Sequence, residues 1–263
     1  MLDLHNSELL FFEVLADLKE YLDDLVVVGG WLAYLYSKFL WRNISIEPIT
    51  TVDIDFGLSE KSNKIYHQNI YQILSSLDYE QHHIKIGKIF PVAFYKKGVI
   101  PVEFIVDSNV NVKKLENLLG TKISVNKIAK FDFLIKNNIL LKIKGGKRKN
   151  IYTIKCPKPS AFLYHKGVTF IDRENKAKQA KDLYYMYFIL RYAEDLDVIL
   201  KEIHHYYDSG YFLNEFINIK EYFKRRTSPG CLMVERENGL DEYIDDVRND
   251  IFNRFNQLLE FLE

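Results

Sequence analysis

The stretch TTVDIDFGL, Thr50 to Leu58, restricts more than any other what this chain can become. Side chains alternate across a strand, so Val52, Ile54 and Phe56 share one face while Asp53 and Asp55 share the other. Two carboxylates then sit roughly 7 Å apart along one strand face, where they repel each other unless a cation lies between them. Inside a buried strand such charge is expensive without a partner. Mg²⁺ is the obvious partner: it prefers oxygen ligands and usually combines one or two carboxylates with substrate phosphates. Taken alone, the motif is equally met by two solvent-facing acids on an amphipathic edge strand.

The preceding stretch changes that balance. LVVVGGWLAYL, Leu25 to Leu35, reads as a short buried strand ended by Gly29 and Gly30, delivering the chain into a helix at Trp31. Backbone amides at such a glycine turn can approach a phosphate closely, although a glycine pair by itself is just a tight turn. A phosphate cradle followed by a paired-carboxylate strand supplies both halves of a metal–triphosphate site. Should a third acid complete such a site, IPVEFIVDSN offers two on one face, Glu103 and Asp107. Glu103 lies deeper in the apolar run, where an uncompensated charge is harder to excuse, so it is preferred. Asp107 is the alternative, and an ordinary edge-strand salt bridge would also account for either.

Beyond these motifs the first part of the chain alternates helical and strand patterns. Helices are expected over Asn6–Asp24, Trp31–Trp41, Ile65–Leu77 and, shorter, Val112–Leu119. Strands are expected in HIKIGKIFPVAFYKKG and VIPVEFIVDS, with a turn at Lys96–Gly98. The run FDFLIKNNILLKIKGGKRKNIYTIKCPKP reads as β-hairpins turning at Asn137-Asn138 and Gly145-Gly146. From Pro159, well placed in a first helical turn, the periodicity is almost only helical: 159–169, 174–192, 194–207, 211–225 and 241–262, with a break at Arg225–Gly230. The fold class is therefore α/β (α+β), a mixed sheet flanked by helices over residues 1–157 and a helical domain over 158–263.

Composition limits the rest. Lys and Arg total 36 and so do Asp and Glu, which argues against a broad basic nucleic-acid surface but not against a local one. The local candidate is KIKGGKRKN, Lys142 to Asn150, either a phosphate contact or simply a solvated hairpin. Cys156 and Cys231 are far apart and read as idle thiols of a reducing compartment. The paired histidines at 82–83 and 204–205 lack zinc spacing, and His165 beside Lys166 points to another helix face. No apolar run approaches the ~18–20 residues of a membrane span, and the N-terminus has no basic leader, so a cytoplasmic protein is expected.

The pair VVVGGWLAYL and TTVDIDFGL resembles the nucleotidyltransferase superfamily of the polymerase-β type. Its signature is a hydrophobic residue with Gly and then Gly or Ser, a helix, two acids alternating with apolar residues on the next strand, and a third acid later. The form with two glycines and an aromatic resembles the AbiEii-type abortive-infection toxins and the small antibiotic nucleotidyltransferases. Many members carry Ser or Thr after the glycine; Gly30 and Trp31 stand here, so phosphate contact would rest on backbone amides. The stretch Ser160–Leu190 is similar to the AbiEii-type pattern at Lys166, Arg173, Lys181 and Asp182, with Tyr185 where that pattern has a second Asp.

The resemblance implies a Mg²⁺-dependent nucleotidyltransferase using two ions, with Asp53, Asp55 and Glu103 as catalytic and metal-binding acids. It implies nucleotide contacts at Gly29, Gly30, Trp31, Lys166, Arg173, Lys181 and Asp182. The substrate would be an NTP, and the acceptor a tRNA or protein hydroxyl, in the manner of a toxin with a cognate antitoxin. A small-molecule acceptor such as an antibiotic, or an inactive NTP-binding partner protein of the same fold, are the competing readings.

Overall fold

The computed structural model describes residues 4–43, 51, 53–59, 64–83, 92–237 and 246–262. It divides into two compact units, one formed by Met1–Leu35 with Thr50–Pro157 and the other by Tyr36–Ile49 with Lys158–Glu263. The segment Tyr36–Ile49 thus groups with the helical residues although it lies within 1–157.

The first unit is an α/β layer structure. In chain order it contains α1 (Leu4–Asp17), β1 (Val26–Val28), α2 (Trp31–Leu35), β2 (Ile54–Gly57), α3 (Ile70–Ser76), β3 (Glu80–His83), β4 (Val92–Tyr95) and β5 (Val102–Asp107). It continues with α4 (Glu116–Leu119), β6 (Asn126–Ile128), α5 (Phe131–Lys136), β7 (Asn138–Gly145) and β8 (Asn150–Pro157). Among the described residues the strands form one mixed sheet of order β3-β4-β5-β2-β1-β8-β7, with β6 also pairing β5. The β2–β5, β1–β8 and β5–β6 pairs are parallel and the others antiparallel. The central strands β5, β2 and β1 are almost wholly buried, as strands of a sheet covered on both faces are. Helix α1 supplies Phe11, Phe12, Val14 and Leu15 to the core, with the Phe11 ring stacked 4.5 Å from Trp31.

Several boundaries differ from the sequence reading for identifiable reasons. The helix expected over Ile65–Leu77 begins only at Ile70. Asn69 accepts from the Gln72 N–H at 2.9 Å and Gln72 returns the bond to the Asn69 N–H at 2.9 Å, a capping box that sets the start. Tyr66 lies outside the helix and donates its hydroxyl to Asp24. The hairpin expected over Phe131–Lys136 is instead α5; Asp107 accepts from the Asp132 N–H at 3.1 Å and so satisfies a first-turn donor. Residues 84–91, part of an expected strand, and 241–245, part of an expected helix, lie outside the described residues.

The second unit is helical. A π-helix, Tyr36–Leu40, precedes α6 (Pro159–Thr169), α7 (Lys176–Tyr192), α8 (Leu196–Asp208), α9 (Leu213–Phe216), α10 (Ile219–Tyr222), α11 (Pro229–Glu237) and α12 (Val247–Glu260). Every residue of α6 is buried, making it the central helix of the unit. The expected break at Arg225–Gly230 is present between α10 and α11: residues 223–228 are non-helical, Ser228 Oγ accepts from the Arg225 N–H at 2.9 Å, and Pro229 takes the first helical position of α11. The expected helix over 211–225 resolves into the two short turns α9 and α10. Among the described residues no helix is long and apolar enough to cross a membrane.

Candidate metal centre

Strand β2 lies between β1 and β5, and register fixes what meets on it. Asp55 stands opposite Val28 of β1 on one side and Glu103 of β5 on the other. Parallel neighbours in register lie ~4.8 Å apart, so two acids from distant parts of the sequence become adjacent. Asp53, two residues earlier and just outside β2, adds the third. One carboxylate oxygen from each of Asp53, Asp55 and Glu103 falls within 4.8 Å of the others, and all three residues are half-buried.

The glycine turn is shaped around this cluster. Gly29 has φ +73°, a left-handed conformation that disfavours side chains. A Cβ there would lie 2.0 Å from Asp55 Oδ2, so the missing side chain is the space the carboxylate occupies. Gly30 completes the turn and is buried. Trp31 is fully buried, and its Nε1 donates to the Asp53 carbonyl at 3.0 Å. The indole therefore steadies the acid strand from the core side.

Two residues that sequence reasoning did not single out hold the acids in place, and a third lies near them. Thr51 Oγ1 accepts from the Asp53 N–H at 3.2 Å, and its hydroxyl contacts Asp53 Oδ1. Asn126 donates from Nδ2 to Glu103 Oε2 at 2.7 Å and to the Val92 carbonyl at 3.2 Å, while its Oδ1 accepts from the Val92 N–H at 2.9 Å. It sits where β4 gives way to β6 along one edge of β5, so a single side-chain amide closes the gap in the ladder and fixes Glu103. Tyr95 completes the surroundings: burial, then the charges of Glu103 and Asp53, push its phenol above the ordinary range. A lone Thr, Asn or Tyr carries no sequence signal for such roles.

Asp107 is not part of the cluster. It is buried, and its oxygens accept from the N–H groups of Asn109 at 2.9 Å and Asp132 at 3.1 Å. Burial opposes its ionisation, but the backbone donors of Asn109, Asp132 and Phe131 outweigh it and hold the carboxyl below the usual range. Of the two acids on β5, Glu103 is the one that joins Asp53 and Asp55.

In the helical unit Lys166, Arg173 and Asp182 meet. Lys166 Nζ and Arg173 Nε, the latter at 2.8 Å, each donate to one oxygen of Asp182. Burial disfavours the charged carboxylate, yet Lys166 and Arg173 overcome it and hold Asp182 below its ordinary pKa. The Lys166 ammonium also lies 5.3 Å from the Phe162 ring centroid and 5.8 Å from that of Tyr185. Lys181 is half-exposed, 5.8 Å from the same Tyr185 ring.

A set of three converging carboxylates suits a hard divalent cation such as Mg²⁺, whose ligands are oxygens, and not a site that selects zinc with Cys and His. The residues present therefore fit such an ion.

Comparison with known proteins identifies a family. A family model described as nucleotidyltransferase matches residues 11–207, about three quarters of the chain. Among solved structures the chain is similar to an antigenic nucleotidyltransferase-like protein from Paracoccidioides brasiliensis, at 16% identity and a TM-score of 0.40, covering 79% of this chain and 93% of that one. No curated protein gives a significant match.

Proposed function

The chain belongs to the nucleotidyltransferase family, and on that premise we propose that it moves a nucleoside monophosphate from an NTP to an acceptor hydroxyl. The observation that carries this reading is the convergence of Asp53, Asp55 and Glu103 within 4.8 Å beside the Gly29–Gly30 turn. Residues 1–157 would hold the catalytic acids and 158–263 a helical domain. The three carboxylates would hold two Mg²⁺ ions, which when bound neutralise charge on the triphosphate and activate the acceptor oxygen.

The chain's own residues do the positioning. Backbone N–H groups of the Gly29–Gly30 turn would offer donors to phosphate oxygen. Asn126 keeps Glu103 oriented, and Glu103 takes the proton of the acceptor hydroxyl. The acceptor oxygen then forms a bond to the α-phosphorus as the bond to the β-phosphate bridging oxygen breaks, and pyrophosphate leaves. Most of the rate gain in such a reaction is positioning and electrostatic stabilisation.

Nucleotide contact at Lys166, Arg173 and Lys181 belongs to the same proposal, supported by their excess of positive charge. Asp182, with an oxygen given to each of Lys166 and Arg173, would position them. The AbiEii-like pattern in Ser160–Leu190 supports an RNA or protein acceptor and a toxin role with a cognate antitoxin.

The test is to incubate the full chain with Mg²⁺ and each labelled NTP, with bulk tRNA or cell lysate as acceptor. Label is expected on one acceptor class, and Asp53→Ala and Asp55→Ala should each abolish it while the protein stays folded. Equal labelling by the variants would overturn the mechanism.

A further inference from the structure

The β7–β8 hairpin carries a charge asymmetry that the metal centre does not use. Residues 138–157 contain six basic side chains and no acidic one, in a chain whose basic and acidic residues balance overall at 36 each. Lys142, Lys144, Lys147, Arg148 and Lys149 are all exposed, on the outward face of β7 and around the turn. The sixth, Lys155, is committed to the backbone carbonyl of Asp23.

The arm is also held firm. Leu141, Ile143, Tyr152 and Ile154 are buried on its inner face. At the turn, Phe12 of α1 presses on Gly145 so closely that a Cβ there would lie 2.1 Å from the ring. The outward charges are thus presented by a rigid, single-sided ribbon.

Three classes of partner compete for such a face. A protein interface draws its buried centre from apolar and aromatic side chains and is depleted in lysine, the reverse of what stands here. A membrane surface would call for a continuous apolar patch. The exposed aliphatics, Leu140 and Ile151, both 68% exposed, sit at opposite ends of the ladder, facing Lys155 and Lys144 respectively. A polyanion backbone fits best. No aromatic ring is exposed on this face, so stacking on unpaired bases is not offered. The ribbon offers cations for phosphates and has no Asn or Gln at the outward positions of its ladder, Lys142, Lys144, Ile151 and Thr153, to read base edges in a B-form major groove. It can lie flat across the wide, shallow minor groove of an A-form helix, whose phosphates and 2′-hydroxyls are at the surface. Thr153 and Asn150, both exposed beside the lysines, supply hydrogen-bonding groups for those hydroxyls.

We propose that the β7–β8 hairpin is a docking arm for double-helical RNA, read through its backbone. As a determinant of acceptor choice the arm rests on the nucleotidyl-transfer reading above; as a binding site it stands without it.

The test measures binding of the full chain to a short fluorescent RNA duplex across a salt series, without NTP. Five phosphate contacts give a log–log salt slope of about −4.5, using about 0.9 per contact, so affinity falls about 500-fold between 50 and 200 mM salt. The triple variant Lys142→Gln/Lys144→Gln/Arg148→Gln, with unchanged thermal unfolding, should bind more weakly and with a slope of about −2. Asp53→Ala should bind the duplex like the wild type, and a wild type that binds the duplex but transfers no nucleotide would count only against the catalytic reading. A wild-type slope matching that of the triple variant would overturn the arm. So would equal affinity for a DNA duplex of the same sequence, or preferential capture by phosphatidylglycerol vesicles.

Discussion

Replacing Gly29 by alanine tests whether the glycine turn is built around the acid cluster. Two separate costs follow from the structure. A side chain at φ +73° costs about 1–2 kcal/mol in the left-handed region. The new Cβ would also sit 2.0 Å from Asp55 Oδ2, against the 3.4 Å at which ordinary contact begins, so the carboxylate must retreat by about 1.4 Å. Forced overpacking of this kind costs about 1–3 kcal/mol, bringing the whole to about 2–5 kcal/mol. Gly98 isolates the first cost: its φ is +78° and nothing lies within 4 Å of its Cβ position. Gly98→Ala should therefore lose only about 1–2 kcal/mol in denaturant unfolding and keep its affinity for Mn²⁺, used as the calorimetric probe. Gly29→Ala should lose more stability, bind Mn²⁺ weakly, and transfer nucleotide at least about 100-fold more slowly, as ångström-scale misplacement of reacting groups does. If the two variants lose the same stability and bind Mn²⁺ equally, the turn is not shaped by Asp55 and the reasoning fails.

Other consequences are as direct. Asn126→Ala should weaken Mn²⁺ binding about 10–100-fold through the loss of support to Glu103, and should cost about 1–3 kcal/mol because the buried Val92 backbone loses its partners; unchanged Mn²⁺ affinity would remove Asn126 from the site. Asp182→Asn leaves Lys166 buried without its carboxylate and should destabilise by about 3–5 kcal/mol at neutral pH. Because folding depresses the pKa of Asp182, the wild type holds this contribution fully above the unfolded-state value of about 4 and loses it as pH falls through the lower folded value. Acid titration of stability should accordingly be flatter in the variant, and an identical pH profile would refute the ionised pairing. Burial pushes the Cys156 thiol up to about 12, so Ellman's reagent should modify it at pH 8 only after unfolding. Rapid labelling of Cys156 in the native protein would contradict the packing around β8.

What the sequence shows of this site follows from where the determining contacts lie. Asp53 and Asp55 stand out because their alternation with Val52, Ile54 and Phe56 is local. The choice between Glu103 and Asp107 needs the parallel register of β2 with β5, which places Glu103 beside Asp55. It also needs the fate of Asp107, whose oxygens go to the turn at Asn109 and the first turn of α5. That second contact also explains the misreading of Phe131–Lys136. The pattern FDFLIK suits a strand as well as a helix, and the group that favours the helix comes from 25 residues away. Ser-Pro-Gly at 228–230 punctuates the chain, but a proline stops one helix and starts another equally well, and here it starts α11. Thr51 and Asn126 leave no pattern at all, since each acts through one side chain whose partner is set by tertiary structure.

The central claim is that the acid cluster directs attack at the α-phosphorus of an NTP. Two parallel incubations of the full chain with Mg²⁺ and its acceptor, one with NTP labelled at the α-phosphate and one at the γ-phosphate, test it most directly. Nucleotidyl transfer predicts acceptor labelled from the α position alone, with γ label leaving in pyrophosphate, and no acceptor labelling from either NTP by Asp55→Ala. Acceptor labelled from the γ position would mean phosphoryl transfer and would contradict the account.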